Sequence, residues 1–404
     1  MPGGRQGQKN AGAPPGRLWA SADHQELLRP FSGPVLGTLR RRLLGWYATH
    51  ARPLPWRETC DPYRIWISEI MLQQTTVKAV MPYYARFLAA FPTVHALAAA
   101  TESRVLQLWE GLGYYSRGRN LHRAAQVICA ELQGDFPSEL AALQKLPGIG
   151  RYTAGAIRSF AFDLPAPIVE ANTLRLYARL LGYPGDPRSR AGQLLLWEFA
   201  ERLAQSKTPG QINQALMELG AQVCTPVDPD CLACPLKSCC RAFAEGTQKE
   251  IPAPQIRPAV TPVVEATIAL RQGECFLVQQ RPVGARWAGL WDFVRFPVTS
   301  LSESDPLDVE CRNRLFCEVH AELQNRHGLR TETLQVLQEL RHSVTRYRIR
   351  LICLTAESPV GRAITPAAAT AGAERHQWLT LQEIERLPMP VTGRKFARAL
   401  HRQE

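Results

Sequence analysis

Four cysteines, Cys224, Cys231, Cys234 and Cys240, stand in the spacing C-x6-C-x2-C-x5-C. One close pair flanked by two further thiols in a single short loop can hold a tetrahedral metal ion or an iron–sulfur cluster, and zinc is the generic occupant of such spacing. Cys239 lies beside the last of them and is an alternative ligand. The chain has eleven cysteines in 404 residues. In a short secreted chain that number suggests disulfides. At this length, with no apolar signal core at the N-terminus, thiols and a metal site are expected instead. The scattered ones, such as Cys129 and Cys353, read as buried thiols.

A net charge of +12 and a pI near 9.4 favour a polyanionic partner. No apolar run is long enough to span a bilayer, so a soluble, intracellular chain with room for two domains is expected.

Upstream of the cysteines, Leu146-Pro147-Gly148-Ile149-Gly150 carries a tight hairpin signal, with a helix expected from Arg151. The two glycines leave amides uncovered by side chains at a helix N-terminus, an anion site suited to a nucleic-acid phosphate without sequence preference. An ordinary helix–turn–helix corner would look the same. Glu170 follows the turn-prone segment 163–169. Earlier, Glu69 stands in an apolar run with Ile65, Trp66, Ile67, Ile70 and Met71. A carboxylate in such surroundings should hold its proton more tightly and serve as a general acid; the alternative is a surface glutamate paired with an arginine. Between these stretches, the corner 109–120 combines glycines, aromatics and two arginines, a composition suited to base stacking and phosphate contact.

Together these stretches resemble the helix–hairpin–helix base-excision DNA glycosylases that include endonuclease III, and most closely the MutY-type adenine glycosylases. The resemblance runs over roughly residues 37–400 and is strongest through Arg241. It implies an all-α glycosylase domain with a [4Fe–4S] loop held by Cys224, Cys231, Cys234 and Cys240, the family spacing selecting Cys240 over Cys239. It also implies that Glu69 donates a proton to the departing base, that Gln74 wedges into the base stack, and that Tyr114 inserts beside the orphaned base. Extrusion is needed because a stacked base hides its glycosidic bond. Where relatives that also nick the strand carry a lysine, this chain has Tyr152, which cannot form an imine. A monofunctional glycosylase is therefore expected, with Glu69, Tyr152, Glu170 and Asn172 as its catalytic set and Gly148 and Gly150 on the phosphate. Arg57 and Gln214 are base-pocket candidates, since an amide can pair with adenine N6 and N7; both could equally be structural. The family loop reads Asp-Gly-Asn, whereas this chain has Glu170-Ala171-Asn172. The longer acid keeps the charge that would stabilise the sugar cation, while alanine would restrict the backbone if a positive φ were required.

The expected domains are a flexible basic arm (1–35), the glycosylase domain (36–242, cluster loop 224–240), a linker (243–260) and a C-terminal α+β domain (261–404). Strand-like text at 263–270, 274–281, 289–297, 334–339 and 347–356, with a helix at 311–327, resembles the Nudix-like domain appended to MutY enzymes. Only Glu318 and Glu322 lie where a Nudix hydrolase would crowd its magnesium-binding glutamates, so a recognition module is expected. The family reads 8-oxoguanine through a Phe-Ser-His loop. Val344-Thr345-Arg346 aligns there, with Thr345 replacing the hydroxyl, Arg346 free to hold a phosphate or guanine O6, and the phenylalanine missing. Residues 378–395 resemble the family's closing helix and tail.

The leading expectation is a monomer acting on duplex DNA that removes adenine opposite 8-oxoguanine or guanine. Its place would be the cytoplasm (nucleoid) in a bacterium, or the nucleus or mitochondrion in a eukaryote. The alternatives are a thymine or uracil mismatch glycosylase and a catalytically decayed iron–sulfur DNA-binding protein.

Overall fold

The computed structural model describes residues 21–253, 259–282, 284–329, 331, 333–358 and 375–403. They fall into two compact units: the first runs up to Ile70 and resumes at Asp135, and the second takes Met71–Gly134 with the described residues from 259 onward. Among the described residues no helix is long and apolar enough to cross a membrane.

The first unit is helical. Its helix Gly33–His50 has a proline in the first turn, where the missing N–H costs nothing, and turns Leu36, Leu39 and Leu43 inward. Helices Ala171–Leu181, Arg190–Ala204 and Pro209–Gln222 complete a core centred on Tyr177, Leu196, Phe199, Leu216 and Leu219. The Phe199 ring meets Phe31 edge-on at 4.8 Å and Tyr177 at 5.6 Å, the arrangement the ring quadrupole favours.

Two sequence expectations fail at the margins of this unit. The supposed arm is ordered from Ser21: Ser21–Leu28 is a helix, and Leu27, Leu28 and Phe31 belong to the core. Three apolar residues in a polar stretch give no readable period, yet burial against distant helices suffices to fold it. Residues 1–20 lie outside the described residues. The supposed linker is likewise folded at its start. Ile251 packs on Ala178 and Ala242, and its carbonyl accepts a hydrogen bond from Arg179 Nε at 2.8 Å. Residues 254–258 lie outside the described residues.

In the second unit, Val77–Ala90, Val94–Ala99 and Glu102–Trp109 each begin behind a threonine (Thr76, Thr93, Thr101) whose hydroxyl accepts a backbone N–H of the first turn. Ser116–Leu132 follows, with Phe87, Trp109, Leu121 and Ile128 buried. The C-terminal part forms a six-stranded mixed sheet from β1 (Thr261–Gln272), β2 (Cys275–Gln280), β3 (Trp291–Pro297), β4 (Leu334–Val344), β5 (Tyr347–Glu357) and β6 (Arg375–Thr380), in the order β4-β5-β1-β3-β2-β6. β1 and β5 run parallel and the other neighbours antiparallel. Val264, Ala266, Ile268 and Leu270 of β1 meet Leu315, Val319 and Leu323 of helix Val309–His327. Ala269, Phe293 and Leu351 meet Phe396 and Leu400 of helix Val391–Leu400 on the other face. β6 was not expected, since Trp378 had been assigned to a closing helix. An edge strand of polar text (Arg375-His376-Gln377) lacks the β-branched enrichment that marks a strand.

Candidate active site

Glu69 lies on helix Pro62–Leu72, fully inside: it is 4% exposed, among Ile65, Trp66, Ile67 and Ile70. The surface ion pair that was the alternative is therefore excluded. The Tyr152 hydroxyl donates to Glu69 Oε2 at 2.7 Å. Burial lifts the Glu69 pKa from 4.5 to about 7; the Glu170 charge adds to the rise, and the Tyr152 hydrogen bond and the Arg57 cation oppose it. Tyr152 itself is held well above its ordinary value by burial and by the two acids, so it stays a hydroxyl donor.

Tyr152 is the second residue of helix Arg151–Phe162, directly after the glycine hairpin. Gly148 takes φ of 77°, which accounts for glycine at the turn. Gly150 is extended and serves as N-cap, and no side chain caps that helix. Further along, a Cβ on Gly155 would stand 2.3 Å from the Pro167 carbonyl oxygen. Only glycine lets the segment leading to Glu170 lie directly on this helix.

Glu170 caps helix Ala171–Leu181. Its Oε2 accepts from the Asn172 amide and its Oε1 from the Thr173 amide, both at 2.9 Å, while the Thr173 hydroxyl accepts from the Glu170 amide at 2.9 Å. Burial raises the Glu170 pKa, opposed by these two amides and by Arg175. With the helix N-terminus behind it, Glu170 is the better-solvated acid of the coupled pair and carries the negative charge, leaving the proton to Glu69. Ala171 is the first residue of an ordinary helix and has no positive φ, so the expected backbone restriction does not arise. The Asn172 side chain accepts from Arg175 Nη2 at 3.0 Å; Arg175 also donates to the carbonyls of Gly220 at 2.6 Å and Cys224 at 2.7 Å.

Arg57 and Gln214 join a polar group that sequence alone did not reveal. Glu218, with its side chain wholly buried, pairs with Arg57 at 2.7 Å and with Arg52 at 2.6 Å. The two arginines overcome burial and hold Glu218 at about 2. Gln214 accepts from the Tyr47 hydroxyl at 2.9 Å, and Arg57 stands 5.7 Å from the Tyr47 ring centroid. One signal was available: like Glu69, Glu218 is an acid inside an apolar run.

In the second unit, Gln74 and Tyr114 both have positive φ, at 57° and 46°. Arg117 organises both loops, donating to the carbonyls of Met71 and Gln73 on one side and of Leu112 and Gly113 on the other. Its guanidinium also lies 5.6 Å from the Tyr114 ring centroid. Thr345 and Arg346 form the β4–β5 turn; the Thr345 hydroxyl donates to the Val344 carbonyl at 2.7 Å, and Arg346 donates to the Tyr347 hydroxyl at 3.1 Å. Glu318 is spent accepting from Thr299 and Ser300, and Glu322 pairs with Arg326.

Cys224, Cys231, Cys234 and Cys240 line one small cavity of about 20 Å³; Cys239 does not line it. Arg179 Nη1 donates to Cys224 Sγ at 3.3 Å, and Cys240 Sγ lies 3.4 Å from the Arg179 carbonyl oxygen. Among the described residues no three His, Cys, Asp or Glu side chains are gathered closely enough for a single metal ion. Zinc needs all four thiolates on one ion at about 2.3 Å. A four-iron cluster bonds each thiolate to a different iron, and four thiols around one cavity are a donor set that such a cluster can use.

Residues 67–202 match the HhH-GPD superfamily of base excision DNA repair proteins, and residues 266–399 match the NUDIX domain. The chain is 42% identical to an adenine DNA glycosylase of Rattus norvegicus over 267 residues, 64% of this chain and 50% of that protein. It thus spans about half the length of its mammalian relatives. An adenine DNA glycosylase of Buchnera aphidicola is 35% identical over 255 residues, 63% of this chain and 73% of the relative. One from Schizosaccharomyces pombe is 30% identical over 351 residues, 72% of this chain and 76% of the relative. With two relatives at least 30% identical, each matched over more than two thirds of its own length, the chain belongs to the adenine DNA glycosylase family.

Proposed function

We propose that this chain is a monofunctional DNA glycosylase that removes adenine mispaired with 8-oxoguanine or guanine. One observation carries the reading: a buried acid lifted to about 7 lies within the electrostatic reach of a second carboxylate anchored on helix amides. Acid-assisted glycosidic cleavage requires one protonated and one ionised acid; burial raises both carboxyls here, and the helix amides of Asn172 and Thr173 favour the charged form of Glu170. Glu69 gives its proton to the departing base as the N-glycosidic bond breaks and its electron pair leaves with the base. The ionised Glu170 faces the positive charge left at C1′, held rigidly by the amides of Asn172 and Thr173. Water then adds at C1′ and surrenders a proton, leaving an abasic site and restoring Glu69. Tyr152 holds Glu69 in place and offers no amine to the sugar, so the strand stays intact. Asn172 acts through its backbone amide on Glu170, while its side chain ties the loop to Arg175. Arg57 and Gln214, braced by Glu218 and Tyr47, contact the extruded base.

Cys224, Cys231, Cys234 and Cys240 would hold a [4Fe–4S] cluster that braces the loop after helix Pro209–Gln222. Arg241, just after this loop, is paired with Glu245 at 2.6 Å. Gly148 and Gly150 present amides to a phosphate, Gln74 and Tyr114 enter the duplex, and Thr345 and Arg346 contact the opposite base. The partner is duplex DNA, engaged by a monomer. The proposed domains are a glycosylase domain from about residue 21 to Ile251, of which Met71–Gly134 packs in the second compact unit, and a Nudix-like domain from Thr261.

Labelled duplexes carrying A, T or U opposite guanine or 8-oxoguanine test the reading. Cleavage is expected on the adenine duplexes, and only after alkali. Cleavage confined to T or U would favour the mismatch enzyme; binding without cleavage on any duplex would favour a decayed DNA-binding protein.

A further inference from the structure

Of the seven non-glycine residues with positive φ among the described residues, Gln133 and Asp163 end helices in the ordinary way. Three others, Tyr114 (46°), Trp287 (59°) and Thr345 (52°), line one cavity of about 470 Å³ within the second unit. Left-handed backbone at bulky side chains is costly and persists where neighbours enforce it, often at a binding site. Three such residues converging on one cavity point to a built site.

Trp287 is the least expected of them and has had no role so far. Its loop is pinned by backbone bonds between Arg281 and Leu290 and between Gly289 and Arg281, and by Arg119, which donates to the Ala288 carbonyl. The Arg295 guanidinium lies 4.4 Å from the indole centroid and is itself locked at 2.6 Å to the buried Glu265. Arg286, also paired with Glu265, lies 5.6 Å from the same ring. The indole is thus clamped by cations at the edge of a cavity that also carries Tyr115, Arg119 and Ser343. Aromatic faces, guanidiniums and hydroxyls around a space of this size are the chemistry that receives an unstacked nucleobase. At the neighbouring turn Val344 offers no ring, so Trp287 supplies the broad aromatic surface.

We propose that Trp287 is a specificity-determining residue, the stacking surface on which the purine opposite the excised adenine is read. This role presupposes the adenine-excision reading for its biological meaning, but its test does not depend on excision. Equilibrium binding would be measured for the parent, Trp287→Leu and Trp287→Tyr on duplexes with 8-oxoguanine or cytosine opposite a tetrahydrofuran abasic analogue. Base stacking on an aromatic side chain is worth about tenfold or more in affinity. Trp287→Leu, which keeps apolar bulk, should therefore lose about tenfold on the 8-oxoguanine duplex and little on the cytosine duplex. Trp287→Tyr should retain most of the preference, which also shows that the loop tolerates substitution. Parent-like binding by Trp287→Leu, or an equal loss on both duplexes, would overturn the role. A tryptophan-dependent preference in a parent that excises no adenine would count against the enzymatic reading and leave Trp287 standing.

Discussion

Replacing Glu69 with glutamine should make the protein more stable and far less active, and the pH at which each effect appears follows from the site. Unfolded, the carboxyl titrates near 4.5; folded, near 7, chiefly because burial disfavours its charge. Between those values the folded state binds the extra proton. By linkage, stability then falls as pH rises through this window and stays lower above it. The displacement corresponds to about 3 kcal/mol when the group is fully ionised. Coupling to Glu170 and local relaxation make about 1–3 kcal/mol a fair expectation for Glu69→Gln, which removes the charge while its carbonyl still accepts from Tyr152. For a unit of this size that is several degrees in Tm. Calorimetric melts of parent and variant at pH 5, 7 and 9 check it: the gain should be smallest at pH 5, just above the unfolded value, and largest at pH 9. The same variant should excise adenine about 10²–10⁴-fold more slowly, the usual worth of a positioned general acid. A variant equally stabilised at pH 5 and pH 9, or destabilised at pH 9, would refute a desolvated proton donor at position 69.

Other changes probe the rest of the site. Glu170→Gln keeps one acceptor for the helix amides but loses the charge, so excision should fall about 10²–10³-fold while stability changes by about 1 kcal/mol or less; near-parental single-turnover rates would remove Glu170 from the chemistry. Arg117→Ala removes its hydrogen bonds to four loop carbonyls, of which Gln73 keeps a donor in Thr75 and Gly113 one in Trp109, and so loosens the loops of Gln74 and Tyr114. Affinity for a mispaired duplex should drop about tenfold, with affinity for undamaged DNA less affected, as gel-shift titration would show. Protein purified without oxygen should carry about four irons per chain, and Cys240→Ser should lose them, whereas Cys239→Ser should not; zinc in place of iron would contradict the cluster.

Much of this site was legible because its signals are local. An acid among Ile65, Trp66, Ile67 and Ile70 announces an unusual proton affinity, Gly148 announces a turn that needs positive φ, and four closely spaced cysteines announce a shared cavity. What stayed hidden depends on residues distant in sequence. Glu218 is bound by Arg52 and Arg57, some 160 residues earlier, and Tyr47 is bound to Gln214 across a similar separation. No periodicity reports such pairings. The Ser21–Leu28 helix and Ile251 were misjudged for a related reason: short polar stretches become structure when a few apolar side chains find a core elsewhere. The change from Asp-Gly to Glu170-Ala171 looked disruptive as text. In three dimensions the longer acid still caps its helix, and the alanine occupies an ordinary helical position.

The most direct measurement is the pH dependence of single-turnover adenine excision opposite 8-oxoguanine, from pH 5 to 9. If Glu69 must be protonated while Glu170 is charged, the rate should fall above about pH 7, approaching tenfold per pH unit, with alkali needed throughout to reveal the abasic product. A rate that stays level to pH 9, or strand breaks formed without alkali, would contradict it.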